Sequence, residues 1–131
     1  MEHAYDSPNL GPETIRQFIK GVDQFNSGLF FECHDTLEDI WHGVRGPSRD
    51  FFQGLIHIAV GFYHLDKLNL EGSRSQLEKG LRKLIPYGDR FLDVDLQSLR
   101  SQAKWWLDRI IAGRKIQDDV MDSPKIHLLS R

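Results

Sequence analysis

Between Phe51 and Leu65 the chain reads FFQGLIHIAVGFYHL, and no other stretch constrains the fold as strongly. Laid out at about 100° per residue, Phe51, Phe52, Leu55, Ile56, Ile58, Ala59, Val60, Phe62, Tyr63 and Leu65 cover almost the whole circumference of a helix. A helix that is apolar nearly all round must be surrounded, which places it at the centre of a helical bundle. The run is too short, and too interrupted by Gln53, His57 and His64, to span a bilayer.

The rest of the sequence supplies the surroundings. After a loose lead-in over 1–11, Pro12 opens a helix carrying Ile15, Phe18, Ile19, Val22 and Phe25 at helical spacing, and Asn26-Ser27-Gly28 ends it. A second helix is expected over 29–43, and the central one from Gly46-Pro47 to about Asn69. A fourth follows on Leu70, Leu77, Leu81, Leu84 and Ile85 and stops before Pro86. A fifth begins after Asp93 or Asp95, either of which can cap it, with Leu96, Leu99, Ala103, Trp106, Leu107 and Ile110 as its stripe. The segment 114–131 reads as a polar C-terminal tail, and no segment alternates like a strand. The expectation is an all-α, single-domain bundle of about five helices over 12–113, with mostly antiparallel neighbours and helix 47–69 central.

Composition narrows the function classes. A chain of 131 residues, 40% hydrophobic and 27% charged, is one globular domain. Its net charge is −2 with both signs interspersed, so nucleic acid is not an expected partner. Arg100, Lys104, Arg109, Arg114 and Lys115 gather on and after the last helix, where they read as a solvated face. Cys33 is the single cysteine, which rules out an intramolecular disulfide and argues against a thiolate-built zinc site. The opening MEHAYDSPN has no apolar signal core, and the expected location is cytoplasmic. The all-round apolar third helix and Trp41, Trp105 and Trp106 present more apolar surface than four short neighbours should cover, so a homodimer is expected.

The chemistry-bearing stretch is FFECHDTLEDIWHG, residues 30–43. Phe30, Leu37, Trp41 and Val44 centre its apolar arc, with Ile40 and Cys33 at one side. His34 and Glu38 project inside or at the edge of that arc, whereas Glu32, Asp35, Asp39 and His42 project onto the wet face. On the central helix, Gln53, His57 and His64 form a polar stripe about 40° wide, with Gly54 and Gly61 beside it. Each interior glycine costs a helix about 1 kcal/mol relative to alanine, so a backbone or a ligand is expected to approach closely there. Inward polar groups need partners, and the stripe is therefore expected to face His34 and Glu38.

Three readings fit this cluster. It can be a hydrogen-bonded seam that fixes which helices meet, a site for a small ligand or partner, or an acid–base or metal-dependent, hydrolase-like active site. For a divalent metal the candidate ligands are His34, Glu38 and His64, since residues four apart share a helix face. His34 and His42 stand about 12 Å apart along the axis, too far for one ion, and the His-Glu-x-x-His signature is absent. For acid–base work, Glu38 beside aromatic rings and a histidine could move a proton. No nucleophile stands beside a base in the sequence, no glycine loop cradles phosphate, and Cys33 projects to the apolar flank as a core residue. A structural or binding module is the primary expectation and an enzyme using His34 and Glu38 with third-helix residues the alternative.

The runs FNSGLFFECHDTLEDIWHG and RDFFQGLIHIAVGFYHLDKLNLEGS resemble a family of small bacterial and archaeal proteins known as domain of unknown function 309. The shared pattern is Phe-Asn-x-Gly-x-Phe-(Phe/Tyr)-Glu-x-His-(Glu/Asp), a Glu and a Trp a turn later, and a Gln-Gly-Leu-Ile helix ending near a histidine. Its positions here are Phe25, Asn26, Gly28, Glu32, His34, Asp35, Glu38, Trp41, Gln53, Gly54 and His64, within a resemblance over about residues 18–110. His57 departs from it, standing where the family is expected to carry glutamine. The resemblance implies an all-helical fold and no assigned reaction. It adds Glu32 to a candidate cluster of Glu32, His34, Glu38, Trp41, Gln53, His57 and His64.

Overall fold

A computed structural model describes residues 10–116 and 123–129. Five helices account for most of them: α1 Pro12–Asn26, α2 Phe30–Gly43, α3 Ser48–Asp66, α4 Leu70–Leu84 and α5 Leu96–Ile111. The all-α bundle expected from the sequence is the fold of the chain. Three-residue links between α1 and α2 and between α3 and α4 turn the chain back on itself, so sequential neighbours pack against one another. Among the described residues no helix is long and apolar enough to cross a membrane.

The ends of the helices follow local chemistry. Pro12 starts α1, and the Asp95 side chain caps α5 by accepting the Ser98 N–H at 2.9 Å. Gly28, at φ 77°, closes α1 while the Leu29 N–H reaches back to the Gln24 carbonyl at 2.9 Å. α3 ends three residues earlier than its expected limit at Asn69 because Leu68 takes the same left-handed turn, at φ 57°. There the Asn69 N–H closes onto the His64 carbonyl at 2.9 Å.

α3 is central, as its circumference implied. Phe51, Phe52, Leu55, Ile56, Ile58, Ala59, Phe62 and Leu65 are all at most 8% exposed. α2 packs against one side of it and α4 against another; α1 packs on α2 and also reaches α3, and α5 packs on α4. Edge-to-face contacts of Phe25 with Phe30 and Phe62, and of Phe18 with Phe52, lock α1 and α2 onto it. Eight of the ten apolar residues that mark α3 are buried within one chain, while Val60 and Tyr63 stay half-buried. Trp106 is only 8% exposed.

Two features were not foreseen. The link between α4 and α5 holds a turn of 3-10 helix, Ile85–Tyr87, and a hairpin of two short strands, Arg90–Phe91 and Val94–Asp95. Part of the expected polar tail also joins the fold. Residues 123–129 run beside the hairpin, where the Asp95 N–H donates to His127 O at 2.9 Å and the Leu129 N–H to Asp93 O at 2.7 Å. Ile126 is buried to 3% exposure. Asn26 accepts from the Ile126 N–H at 2.7 Å and donates to its carbonyl at 2.9 Å, and Gln102 holds Lys125 in the same two-sided way at 2.8 and 3.0 Å. Of the lead-in expected over 1–11, all but residues 10 and 11 lies outside the described residues.

Candidate functional site on helix α2

α2 is amphipathic, with Phe30, Cys33, Thr36, Leu37 and Ile40 buried. His34 and Glu38 sit on the margin of that face, one turn apart. His34 Nε2 lies 2.7 Å from Glu38 Oε2, an ion-pair contact within the helix, with side-chain exposures of 22% and 42%. The other ring nitrogen, Nδ1, is buried without a hydrogen bond and lies 3.4 Å from Asp35 Oδ1. The imidazole is thus flanked by two carboxylates of its own helix. Phe31, 49% exposed, sets its ring 5.6 Å from that of His34 and 5.5 Å from that of Tyr63 on α3. Glu32, Asp35 and Asp39 are exposed, as the helix projection required, which makes this an acidic face with an aromatic edge.

The expected meeting of the α3 stripe with His34 and Glu38 does not occur at His57 or His64. His57 Nδ1 is 2.7 Å from Gln76 Oε1 on α4, and His64 Nδ1 is 3.4 Å from Asn69 Nδ2 just before α4. The glycines explain the direction. A Cβ on Gly54 would lie 2.8 Å from Leu84 Cδ2, one on Gly61 2.7 Å from Leu77 Cδ2, and one on Gly80 3.0 Å from the Gly54 carbonyl oxygen. Bare backbone at these positions lets α3 and α4 approach closely, with Leu77, Leu84 and Ile58 packed against the glycines, and His57 and His64 turn toward α4 with them. Helix projection gives the angle of a residue on its own helix; it does not say which neighbour stands at that angle. The candidate ligands His34, Glu38 and His64 are accordingly divided between two faces. Among the described residues no group of three or more His, Cys, Asp or Glu side chains is placed to hold a metal ion.

Most of the other motif positions have architectural tasks. Phe25 is core, Asn26 clamps the C-terminal segment, and Gly28 and Gly54 serve backbone geometry. Trp41 is half-buried beneath the guanidinium of Arg49, 3.9 Å from its ring centre. Arg49 also donates to the carbonyls of Trp41 at 2.9 Å and Val44 at 3.0 Å, pinning the turn between α2 and α3. Sequence reasoning passed over Arg49, although a cation eight residues after a tryptophan and across a Gly-Pro turn was a usable signal. Gln53 is half-buried. Cys33 is 0% exposed, and burial pushes its thiol up to about 12, opposed in part by a hydrogen bond with the Phe25 backbone.

The model of the family described as Domain of unknown function (DUF309) matches residues 18–76. The resemblance drawn from the Phe-Asn-x-Gly and Gln-Gly-Leu-Ile motifs therefore holds from Phe18 in α1 to Gln76 in α4, short of the 110 expected. Uncharacterized protein YpuF of Bacillus subtilis (strain 168) is 32% identical over 56 residues, which are 42% of this chain and 32% of YpuF. The match thus spans about a third of the length of that relative.

Proposed function

We propose that this chain is a cytoplasmic binding module whose α2 face receives a cationic group of a ligand or partner. The observation that carries the reading is the His34–Glu38 pair: its 2.7 Å contact stays within one helix and half-exposed, so it cannot specify how helices meet. Among the motif positions on α2 without a packing task, His34 and Glu38 lie on the margin of the buried face, with the exposed Asp35 and Glu32 beyond them. Clustered carboxylates beside the exposed Phe31 ring suit an ammonium or guanidinium group, through Coulomb attraction and ring contact together.

The test uses two peptides of equal length, one arginine-rich and one aspartate-rich, added to the 15N-labelled chain. The basic peptide should shift the amides of residues 31–42 and of Tyr63, and the Asp35→Asn/Glu38→Gln variant should lose the effect. Equal response to both peptides, or an unchanged response in the variant, refutes the reading. A divalent ion is the smallest cation of this class. Zinc that raises Tm for wild type but not for His34→Ala would make the occupant a metal.

The same close contact supports a second reading, acid–base catalysis with Glu38 and His34 passing a proton between them. It needs a substrate that water or the pair itself attacks, because Cys33, the adjacent thiol, faces the core as a neutral group. Turnover of a chromogenic ester that survives Cys33→Ala and disappears in both His34→Ala and Glu38→Gln would support it; turnover indifferent to either would remove it.

A further inference from the structure

We propose that the cleft between α3 and α4, on another face of the molecule from the His34–Glu38 pair, binds a phosphate-bearing small anion. The cleft is about 430 Å³ and is lined by Asp50 and His57 of α3, Lys79, Arg82 and Lys83 of α4, and Pro86. Three permanent cations therefore face one carboxylate, in a chain whose net charge is −2. This local excess of positive charge runs against the global balance, so it is a property of the cleft.

The cations are available. Lys83 Nζ is 3.6 Å from Asp50 Oδ1, longer than a hydrogen bond, and that is the neutralising contact in the cleft. Lys79 and Arg82 are exposed and enter no ion pair among the described residues, while the nearby Glu78 is engaged by Arg74 at 3.6 Å. Two further features fix the walls. The absence of a Cβ on Gly54 lets the stem of Lys83 lie against α3, since that atom would stand 3.3 Å from Lys83 Cβ. The 2.7 Å bond from Gln76 holds the His57 ring in a set orientation at the cleft.

A guanidinium and two ammonium groups around a cleft of this size suit the spread charge and multiple acceptors of a phosphate group. Inorganic diphosphate and a phosphate ester share that chemistry.

The experiment titrates sodium pyrophosphate, and separately adenosine diphosphate, into the 15N-labelled full chain against sodium chloride at matched ionic strength. Saturable shifts confined to residues 50, 57 and 76–83 are expected with at least one phosphate probe and not with chloride. Lys79→Ala/Arg82→Ala should weaken binding roughly tenfold or more, whereas Arg16→Ala/Lys20→Ala on α1 should leave it unchanged. Tighter binding of the nucleotide assigns the cleft to phosphate esters, and equal binding assigns it to the phosphate group alone. Shifts that never saturate, that spread over cations elsewhere, or that survive in the α4 variant overturn the proposal. So would tight, steeply salt-dependent binding of duplex DNA with no response to either small probe, because it would make the charge part of an extended nucleic-acid surface.

Discussion

His34 and His57 each approach a polar side chain to 2.7 Å, His34 in an ion-pair contact and His57 in a hydrogen bond, and the two contacts differ in what they join. The partner of His57 is Gln76, nineteen residues on and in another helix, set where Gly54, Gly61 and Gly80 bring α3 and α4 into backbone contact. The partner of His34 is Glu38, one turn further along the same helix. The first contact therefore acts on tertiary structure: it can form only when two helices meet in one register. The second forms wherever α2 forms, and constrains no neighbour. Polar residues on two adjacent helices of one bundle thus separate into a seam and a face, which the one-dimensional pattern of histidines does not distinguish.

The largest expected effect is at the seam. In Gly80→Val the new Cβ would meet Ile58 Cδ1 at 2.7 Å and the Gly54 carbonyl oxygen at 3.0 Å. The isoleucine can rotate away, but the backbone oxygen cannot without parting the helices, so a loss of about 2–3 kcal/mol is expected in urea unfolding. An unchanged midpoint would mean that α3 and α4 separate freely and that the seam is no constraint.

Next comes the hydrogen bond itself. A double-mutant cycle of His57→Ala and Gln76→Ala should give a coupling of about 1 kcal/mol, as for a partly buried bond between elements. The same cycle on His34 and Glu38 should give about 0.3–0.5 kcal/mol, as for exposed pairs one turn apart. Equal couplings would erase the distinction between the two sites. His57→Gln sharpens it, because a second amide can still bond to Gln76 and most of the stability should remain.

Substitutions at Glu38 alone should be smaller again. Glu38→Gln, Glu38→Ala and Glu38→Leu are each expected within about 0.5 kcal/mol of wild type, since the group is half in water and leaves no partner stranded across a seam. A uniform loss beyond about 1 kcal/mol would return Glu38 to the seam and remove the argument for a binding face.

The sequence carried the helices because their signals are local: Pro12, Gly28, the cap at Asp95 and the apolar circumference of α3 all act within a few residues. The hairpin escaped because its strands are two residues long and its turn is Leu92-Asp93, at φ 48° and 61°, where the usual signal is Asn-Gly. The docked C-terminal segment escaped because the amides that hold it, Asn26 and Gln102, lie 100 and 23 residues away. Of the site, the inward or marginal placement of His34 and Glu38 was legible. The destination of His57 and His64 was not, because it depended on which helix the glycines would admit.

The smallest expected effect concerns an exposed carboxylate at the end of α3. Asp66 is the last residue of α3, and burial raises its pKa above the usual value, with the Lys67 charge opposing. The folded protein therefore binds this proton more tightly than the unfolded chain does. The charged form costs stability at every pH above the folded pKa, and the cost disappears as pH falls below the ordinary value of 3.8. A negative charge in the last turn of a helix also opposes the helix dipole, typically by a few tenths of a kcal/mol. Asp66→Asn should accordingly raise the unfolding midpoint slightly at pH 7, and the gain should shrink as the measurement moves to pH 3.5. A gain that is equal at both pH values would assign it to something other than charge. A loss at pH 7 would show that Asp66 serves α3 as an anion.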